Sequence, residues 1–218
     1  MKKGTTTMIY VDGFNLYYGA LKGTAFRWLN LYDCFCKIFP QNKIVGIRYF
    51  TAAINSFPRD PDQPSRQQLY WRALRTIPNL SIIEGHYLCH PKNMPLVRPL
   101  PNGQRFAQVH FTEEKGSDVN LASYLLLDGF KQSYDCAIVI SGDSDLATPI
   151  TMICEELGKT VGVLLPQLAN QMKRRKSARL KQVASFFRES IRPGVLATSQ
   201  FSDTLTDAHG SFNKPASW

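Results

Sequence analysis

The apolar run CAIVI, residues 136–140, constrains the fold more than any other part of this sequence. A short, continuous run of β-branched and other apolar residues is typical of a strand that is buried on both faces. Similar runs alternate with segments of helical periodicity along the chain. This alternation predicts an α/β fold in which a mainly parallel sheet carries helices on both faces and forms binding sites at the carboxyl ends of its strands.

The order of the predicted elements indicates one domain over residues 6–190. Strands are predicted at TTMIYVD, KIVGIRYFTAAI, LSIIEGHYL, YDCAIVI and KTVGVLLP, and helices at LNLYDCFCKIF, SRQQLYWRALRTI, GSDVNLASYLLLDGFKQ and SDLATPITMICEELG. Residues 89–112 contain four prolines and a Pro-Asn-Gly turn, which predict an irregular, hairpin-like insertion. Residues 191–218 are rich in Ser, Thr, Gly and Pro and predict a flexible C-terminal tail.

The overall charge of the chain favours a polyanionic partner. Its 218 residues include 26 Lys and Arg against 17 Asp and Glu, a formal net charge of +9. RNA is such a partner, because binding to a phosphate backbone releases counterions, although many basic proteins bind no nucleic acid. No apolar stretch reaches the ~18 residues that span a bilayer, and the first residues do not resemble a signal peptide. We therefore expect a cytoplasmic protein without membrane contact, and its five scattered cysteines suit reduced thiols.

Four aspartates lie at junctions between predicted elements. Asp12 ends the first strand, Asp118 begins a helix, and Asp143 and Asp145 follow CAIVI in the segment SGDSDL. If these carboxylates converge, their mutual repulsion disfavours joint ionisation unless a cation is bound. Oxygen ligands without a Cys or His set suit Mg²⁺ or Mn²⁺, which activate water and stabilise charge on a phosphodiester.

Each of these polar residues also has a purely structural interpretation. Asp145 or Ser144 can cap the helix that begins near Leu146, and Asp118 can start its own helix. Asn15 can hydrogen-bond within its turn, and Ser141 reads most simply as a buried turn hydroxyl that could also contact phosphate. The recurrence of polar groups at equivalent strand-to-helix junctions is what favours a functional site, and capping does not exclude metal binding.

Three segments together resemble the NYN domain family, a branch of the PIN-like ribonuclease superfamily. They are IYVDGFNLYYG, EKGSDVNLASYLLLDGF and DCAIVISGDSDLATPITMICEELGKTVGVLLP, and the resemblance covers residues 6–190. It implies a Rossmann-like α/β fold with an acidic, Mg²⁺- or Mn²⁺-dependent site that cleaves RNA. None of the family's core acids is missing, whereas Ser117, Asn120 and the prolines of the insertion depart from its pattern and bear on substrate choice.

The resemblance also implies a role for each matched residue. Asp12, Asp118 and Asp143 would contact the metal directly or through water, and Asp145 would complete the site or orient a water. Asn15 would position the scissile phosphate or a metal-bound water. The predicted catalytic residues are therefore Asp12, Asn15, Asp118, Asp143 and Asp145.

A basic segment and a group of aromatic residues are candidates for binding substrate. The segment KRRKSARLK, residues 173–181, has six basic residues in nine, and its predicted RNA contacts are Lys173, Arg174, Arg175, Lys176 and Arg179. A solvated charge run is the usual alternative. Tyr17, Tyr18 and Trp28 follow Asp12, and we expect only one or two of them, Tyr17 first, to stack on single-stranded or structured RNA. The histidines and Cys89 near the insertion lack the spacing of a zinc site.

Three functions are compatible with these features. The first is a metal-dependent endoribonuclease that hydrolyses RNA with a metal-activated water. The second is a non-catalytic RNA-binding adaptor whose acids are only structural caps. The third is a phosphatase of the haloacid dehalogenase type, because GDSD resembles the late acidic motif of that superfamily. Such an enzyme needs a nucleophilic Asp and a second Asp two residues later, but Asp12 is followed two residues later by Phe14. The sequence leaves a homodimer open.

Overall fold

The computed structural model describes residues 4–56, 60–170 and 178–218. Short turns of π-helix (Tyr17–Leu21) and 3-10 helix (Ser144–Leu146) accompany the regular elements. In chain order, the strands and α-helices are β1 (Thr5–Asp12), α1 (Gly13–Leu16), α2 (Leu31–Ile38), β2 (Asn42–Thr51), α3 (Gln63–Leu74), β3 (Leu80–Glu84), β4 (His86–Pro95), β5 (Phe106–Lys115), α4 (Ser117–Phe130), β6 (Cys136–Ile140), α5 (Ala147–Glu155), β7 (Thr160–Leu164), α6 (Ala178–Val183), β8 (Phe186–Arg188), α7 (Pro193–Ala197), β9 (Thr204–Asp207) and β10 (Gly210–Asn213).

Six strands form one sheet in the order β3-β2-β1-β6-β7-β8, and all the neighbouring strands are parallel. The strand order reverses next to β1, which lies between β2 and β6. The carboxyl ends of β2, β1 and β6 therefore lie side by side at one edge of the sheet, where ligands bind in open α/β folds. The predicted α/β fold with a parallel sheet is confirmed.

Helices cover both faces of this sheet. Successive side chains of β1 point to opposite faces, so Ile9 and Val11 enter the core layer beneath α1, α2 and α3, while Tyr10 enters the layer beneath α4, α5 and α6. All five residues of β6 are buried, as CAIVI predicts for a strand covered on both sides.

The predicted insertion is more regular than its prolines suggest. Strands β4 and β5 pair antiparallel from His86↔Lys115 to Pro95↔Phe106 and form a separate two-stranded sheet. The predicted strand LSIIEGHYL divides at Gly85 between β3 and β4. A side chain at Gly85 would place its Cβ 2.6 Å from the carbonyl oxygen of Lys115, so only glycine lets the two ends of the insertion approach.

The end of the chain differs from the flexible tail that its composition predicts. Helix α7 and the β9–β10 hairpin fold back onto α2 and α3, and Phe201, Phe212 and Trp218 surround the buried ring of Trp28 at centroid distances of 5.8–6.5 Å. Trp28 Nε1 also donates a hydrogen bond to the carbonyl of Ser202 (3.0 Å). These few large aromatic groups offset the ordering entropy of a segment that is otherwise small and polar.

In the part of the chain that the structure describes, no helix is both long and apolar enough to cross a membrane.

A buried ion pair joins the sheet to α4. Asp128 is only 3% exposed and accepts two hydrogen bonds from the Arg48 guanidinium (2.6 and 2.8 Å) and one from the Tyr10 hydroxyl (2.7 Å). The guanidinium also lies over the ring of Tyr124 at 4.6 Å. Every oxygen of this carboxylate therefore has a partner, which is the condition under which a buried charge is tolerated.

We predict that Asp128→Ala lowers the free energy of unfolding by about 3 kcal/mol, because Arg48 and Tyr10 then lose their acceptor inside the protein. The change is measured as a shift of the urea midpoint. Asp33→Ala is the control, since the pair between Asp33 and Lys37 is solvent-exposed and should contribute no more than about 0.5 kcal/mol. Equal shifts in the two variants would contradict the prediction.

Candidate functional site

Parallel pairing of β1 with β6 brings Asp12 beside the segment SGDSDL. The last rung of the pairing joins Val11 to Ile140, so Asp12 and Ser141 are the next residues at the same edge. The buried Ser141 hydroxyl donates to Asp12 Oδ2 (2.9 Å) and accepts a hydrogen bond from the Asp143 backbone N–H (3.1 Å). A single hydroxyl therefore connects the Asp12 carboxylate to the backbone of Asp143.

Asn15 fixes the other side of the Asp12 carboxylate. Its backbone N–H donates to Asp12 Oδ1 (2.9 Å) and its side-chain amide donates to Asp12 Oδ2 (2.6 Å). Asn15 Oδ1 also accepts from the Gly142 N–H (3.4 Å). A Cβ on Gly13 would lie 2.7 Å from the Tyr49 ring, so the tight turn after β1 needs glycine there.

The segment SGDSDL does contain a helix cap, as predicted, but the capping residue is not one of the two that were predicted. Asp143, rather than Ser144 or Asp145, is the N-cap of the 3-10 turn, and its Oδ1 accepts from the Asp145 N–H (2.9 Å). The second oxygen of Asp143 has no such bond to this turn, and Asp145 is exposed. Capping and a role at the sheet edge therefore coexist.

Asp118 reaches the same edge from α4. It lies in the first turn of that helix, whose N-cap is Gly116 with a φ of 95°. Glu114 Oε1 accepts from the N–H of Ser117 (3.0 Å) and so satisfies the helix end in place of a cap side chain. Asp118 is an exposed residue overall, although its carboxylate is partly desolvated.

The acids influence one another electrostatically. Burial raises the pKa of Asp12, although hydrogen bonds from Asn15 and Ser141 oppose that rise. Partial desolvation raises the pKa of Asp118 to about 6, and repulsion from Asp12 and Asp143, then from Glu114 and Asp145, adds to it. Asp118 therefore lies within electrostatic reach of Asp12, Asp143 and Asp145, and Asp12 lies within reach of Asp143.

The donor chemistry of this edge fits a hard cation that keeps part of its water shell. Its ligands would be carboxylate oxygens, and the raised pKa of Asp118 shows that desolvation and the neighbouring acids disfavour its ionised form, a cost that a bound cation would offset. Over the described ranges, however, no three His, Cys, Asp or Glu side chains are close enough to form a ready metal cage. The fit is thus to Mg²⁺ or Mn²⁺ contacting one or two carboxylates and otherwise water.

The predicted substrate-binding residues separate into several groups. Tyr17 is half-buried and packs edge-on against Tyr18, which is exposed and stacks on Phe14. Trp28 is fully buried, so it belongs to the core and not to a binding surface. Arg179 is exposed on α6. Lys173, Arg174, Arg175 and Lys176 lie outside the described residues.

Glu114 is a site residue that the sequence analysis missed. It acts on the site by holding the start of α4 and by adding negative charge beside Asp118. The sequence contains one signal for this role, an acid three residues before Ser117, because a side chain at that distance can reach a helix N-terminus. The effect of Glu114 on Asp118 could not be predicted, because it depends on the pairing of β4 with β5.

Comparisons with known proteins agree with this architecture. The family model described as NYN domain matches residues 6–189. The 6-hydroxy-3-succinoylpyridine 3-monooxygenase HspA of Pseudomonas putida is 33% identical over 236 aligned residues, which cover 97% of this chain and 75% of that protein. A crystal structure of a protein of unknown function from Vibrio parahaemolyticus superposes with a TM-score of 0.53 at 19% identity, covering 88% of this chain and 95% of that one. This last likeness concerns the fold alone.

We predict that Asp118 titrates near pH 6 in metal-free protein. The folded state then binds more protons than the unfolded chain between pH 3.8 and about 6. The resulting contribution to stability is complete below the unfolded pKa and is lost as the pH rises through about 6. NMR of the aspartate carboxyl carbons, assigned with Asp118→Asn, measures this. Asp207 is the internal control, since hydrogen bonds from Arg72 lower its pKa, and an Asp118 curve with an ordinary midpoint contradicts the prediction.

Proposed function

This chain belongs to the NYN domain family, and we propose on that premise that it is a metal-dependent endoribonuclease. The observation that carries the proposal is the hydrogen-bonded link from Asp12 through Ser141 to Asp143, with Asp118 in electrostatic reach of both acids. A helix cap alone gives no reason for three separate elements to direct carboxylates to one edge.

Each residue of this edge has a task in the proposed reaction. Asp12, Asp118 and Asp143 would hold Mg²⁺ or Mn²⁺, directly or through water, and Asp145 would orient a water at the exposed side. When bound, such a cation supplies a water of lowered pKa and stabilises negative charge on the phosphodiester. Ser141 and Asn15 keep the Asp12 carboxylate in one orientation. Asn15 would also position the scissile phosphate or a metal-bound water.

The net charge of +9 supports a polyanionic substrate. An acidic edge alone repels RNA, so the cation and the basic residues elsewhere must supply the attraction. We propose that Arg179 and the basic residues 173–176 contact the RNA backbone and that Tyr17 or its neighbour Tyr18 stacks on a base, with Tyr18 offering the more exposed ring.

We predict that Asp143→Asn lowers the cleavage of labelled single-stranded RNA in Mn²⁺ by at least about 100-fold, since even residues that only support a metal ligand are worth 10- to 100-fold. The fold should survive, because asparagine caps a helix about as well as aspartate. Gel analysis of RNA length and the thermal midpoint measure these two effects.

Asp135→Asn is the matched control for this experiment. Asp135 precedes β6 at the opposite end of the strand, where its carboxylate accepts a hydrogen bond from Thr6 that asparagine can also accept. Its activity should equal that of the wild type, and a chelator should stop cleavage by both proteins. Wild-type activity in Asp143→Asn would defeat the proposal. If the wild-type protein binds RNA equally well with metal and with chelator, and leaves the RNA intact in both Mg²⁺ and Mn²⁺, the chain is an adaptor instead.

A second candidate function follows from the likeness to the monooxygenase HspA at 33% identity. A pocket beside α1 supports it, because its wall includes Tyr17, Tyr70 and Trp71 together with Arg27. Arg66 also lies in this wall, but its guanidinium pairs with Asp60. Aromatic walls and the Arg27 guanidinium suit a flat heteroaromatic acid. Under this hypothesis the chain would hydroxylate a pyridine, a reaction that consumes dioxygen and two electrons from a reductant.

The two candidate functions are separated by offering the same preparation both substrates. We predict no oxygen uptake with 6-hydroxy-3-succinoylpyridine and a reduced nicotinamide, with or without flavin, from protein that cleaves RNA. Oxygen uptake that follows the pyridine concentration and is lost in Trp71→Ala, but kept in Asp143→Asn, would favour the monooxygenase. Chromatography of the pyridine product provides the measurement.

A further inference from the structure

We propose that the hairpin of β4 and β5, residues 86–115 and here termed the arm, is a track for single-stranded RNA leading to the acidic edge. The inference rests on the proposed function, and it assigns a role to the part of the arm that lies beyond Glu114. Four features of the arm carry it: its shape, its attachment, its charge and the composition of one face.

The shape of the arm indicates that something covers it. Its ten paired rungs give a length of about 33 Å at 3.3 Å per residue. Beyond its base most of its residues are exposed on both faces, including Met94, Val97 and Phe106. A two-stranded sheet with neither face packed is marginally stable in water, so a ligand along one face would add stability that the arm lacks.

Both strands of the arm are attached to the elements that carry the site. On the β4 side, the ring of Tyr87 stacks on Phe14, the neighbour of Asn15, at a centroid distance of 6.3 Å. On the β5 side, Glu114 holds the N–H of Ser117, the residue before Asp118. The arm therefore begins at the acidic edge, and its base has a defined orientation toward the site.

The charge of the arm is opposite to that of the site. Residues 85–112 contain no Asp or Glu, but they include Lys92, Arg98 and Arg105 as well as three histidines. A phosphate backbone that is repelled by the acids gains favourable contacts along this stretch. The same charge disfavours a second copy of this chain as the occupant, because two arms would then meet with like charges.

One face of the arm has the composition of a nucleic-acid surface. Residues that are directly opposite in an antiparallel pair share a face, so the face that carries Tyr87 and Glu114 continues outward from the site. Its outer members include Thr112, His110, Asn93, Gln108 and the 57% exposed ring of Phe106. Amide, hydroxyl and imidazole groups can bond bases and ribose hydroxyls, and an exposed aromatic ring can stack on a base.

The size of the arm predicts which substrates use it. Its length matches roughly ten stacked nucleotides at 3.4 Å per phosphate. An RNA of about 20 nucleotides would occupy both the arm and the acidic edge, whereas an RNA of three nucleotides would occupy the edge alone. The contribution of the arm should therefore be absent from short substrates.

The charge test uses the double variant Arg98→Gln, Arg105→Gln in the full chain, because Lys92 lies on the other face of the arm with Val109. With chelator present, its affinity for a 20-nucleotide RNA should fall roughly tenfold at ~0.1 M salt, and the slope of log K against log salt should decrease by about 1.4, or ~0.7 for each lost phosphate contact. The matched control replaces the exposed Lys43 and Lys131 by Gln in the same way, and its affinity should stay within about threefold of the wild type. Equal losses in the two double variants would contradict the proposal that RNA lies on the arm.

The face test compares single substitutions of two exposed apolar residues that lie on opposite faces of the arm. Phe106→Ala, on the face that continues from the site, should weaken binding of the 20-nucleotide RNA about tenfold, as the loss of one stacked base does. Val109, which pairs with Lys92, lies on the other face of the arm. The Val109→Ala variant should bind within twofold of the wild type. Unchanged binding in Phe106→Ala would overturn the assignment of this face.

Cleavage of the three-nucleotide RNA in Mn²⁺ separates the arm from the proposed function. The arm variants should cleave it at the wild-type rate, while Asp143→Asn should not cleave it. If the wild type leaves every RNA intact, the endoribonuclease proposal fails, and the binding measurements in chelator still decide whether RNA lies on the arm. A change of sedimentation coefficient in the double variant Arg98→Gln, Arg105→Gln, with RNA affinity unchanged, would show that the arm binds a second copy of the chain and would overturn the proposal.

Discussion

The burial of the Asp12 carboxylate is the constraint around which the site is built. A carboxylate that is 4% exposed is costly unless its oxygens are bonded. The partners of Asp12 come from the turn into α1 and from the end of β6. These bonds require β1 and β6 to be adjacent, parallel and in one register, so a slip of the sheet by a single residue would separate Asp12 from Ser141. The fold and the site therefore have the same condition for stability.

The sheet and the acids could be predicted from sequence because both depend on local patterns. The run CAIVI identifies a strand that is buried on both faces, and the segments after Asp12 and Ile140 contain the polar groups of strand-to-helix turns. Parallel pairing then brings distant acids together without any knowledge of side-chain contacts. The parallel sheet with helices on both faces was predicted from periodicity, and the structure confirms it.

What could not be predicted depends on contacts between residues far apart in sequence. The cap of the 3-10 turn falls on Asp143 because the Ser141 hydroxyl receives its N–H and directs the chain. Glu114 reaches Ser117 only because β5 ends beside α4. The order of the last residues depends on Trp28, which is 190 positions from Trp218 and contacts it. Composition alone describes such a segment by its average and misses the few aromatic residues that anchor it.

The packing around Trp28 shows that the folded unit extends beyond the residues that the family model matches. The family match ends at residue 189, yet Ile191, Leu196, Phe201 and Phe212 belong to the same core layer as β1 and α3. A chain cut at the family boundary would open one side of Trp28 and of α2 to water. The C-terminal segment thus belongs to the core layer that packs against Ile9 and Val11 of the first strand, and a domain boundary drawn at the last matched position would cut through that layer.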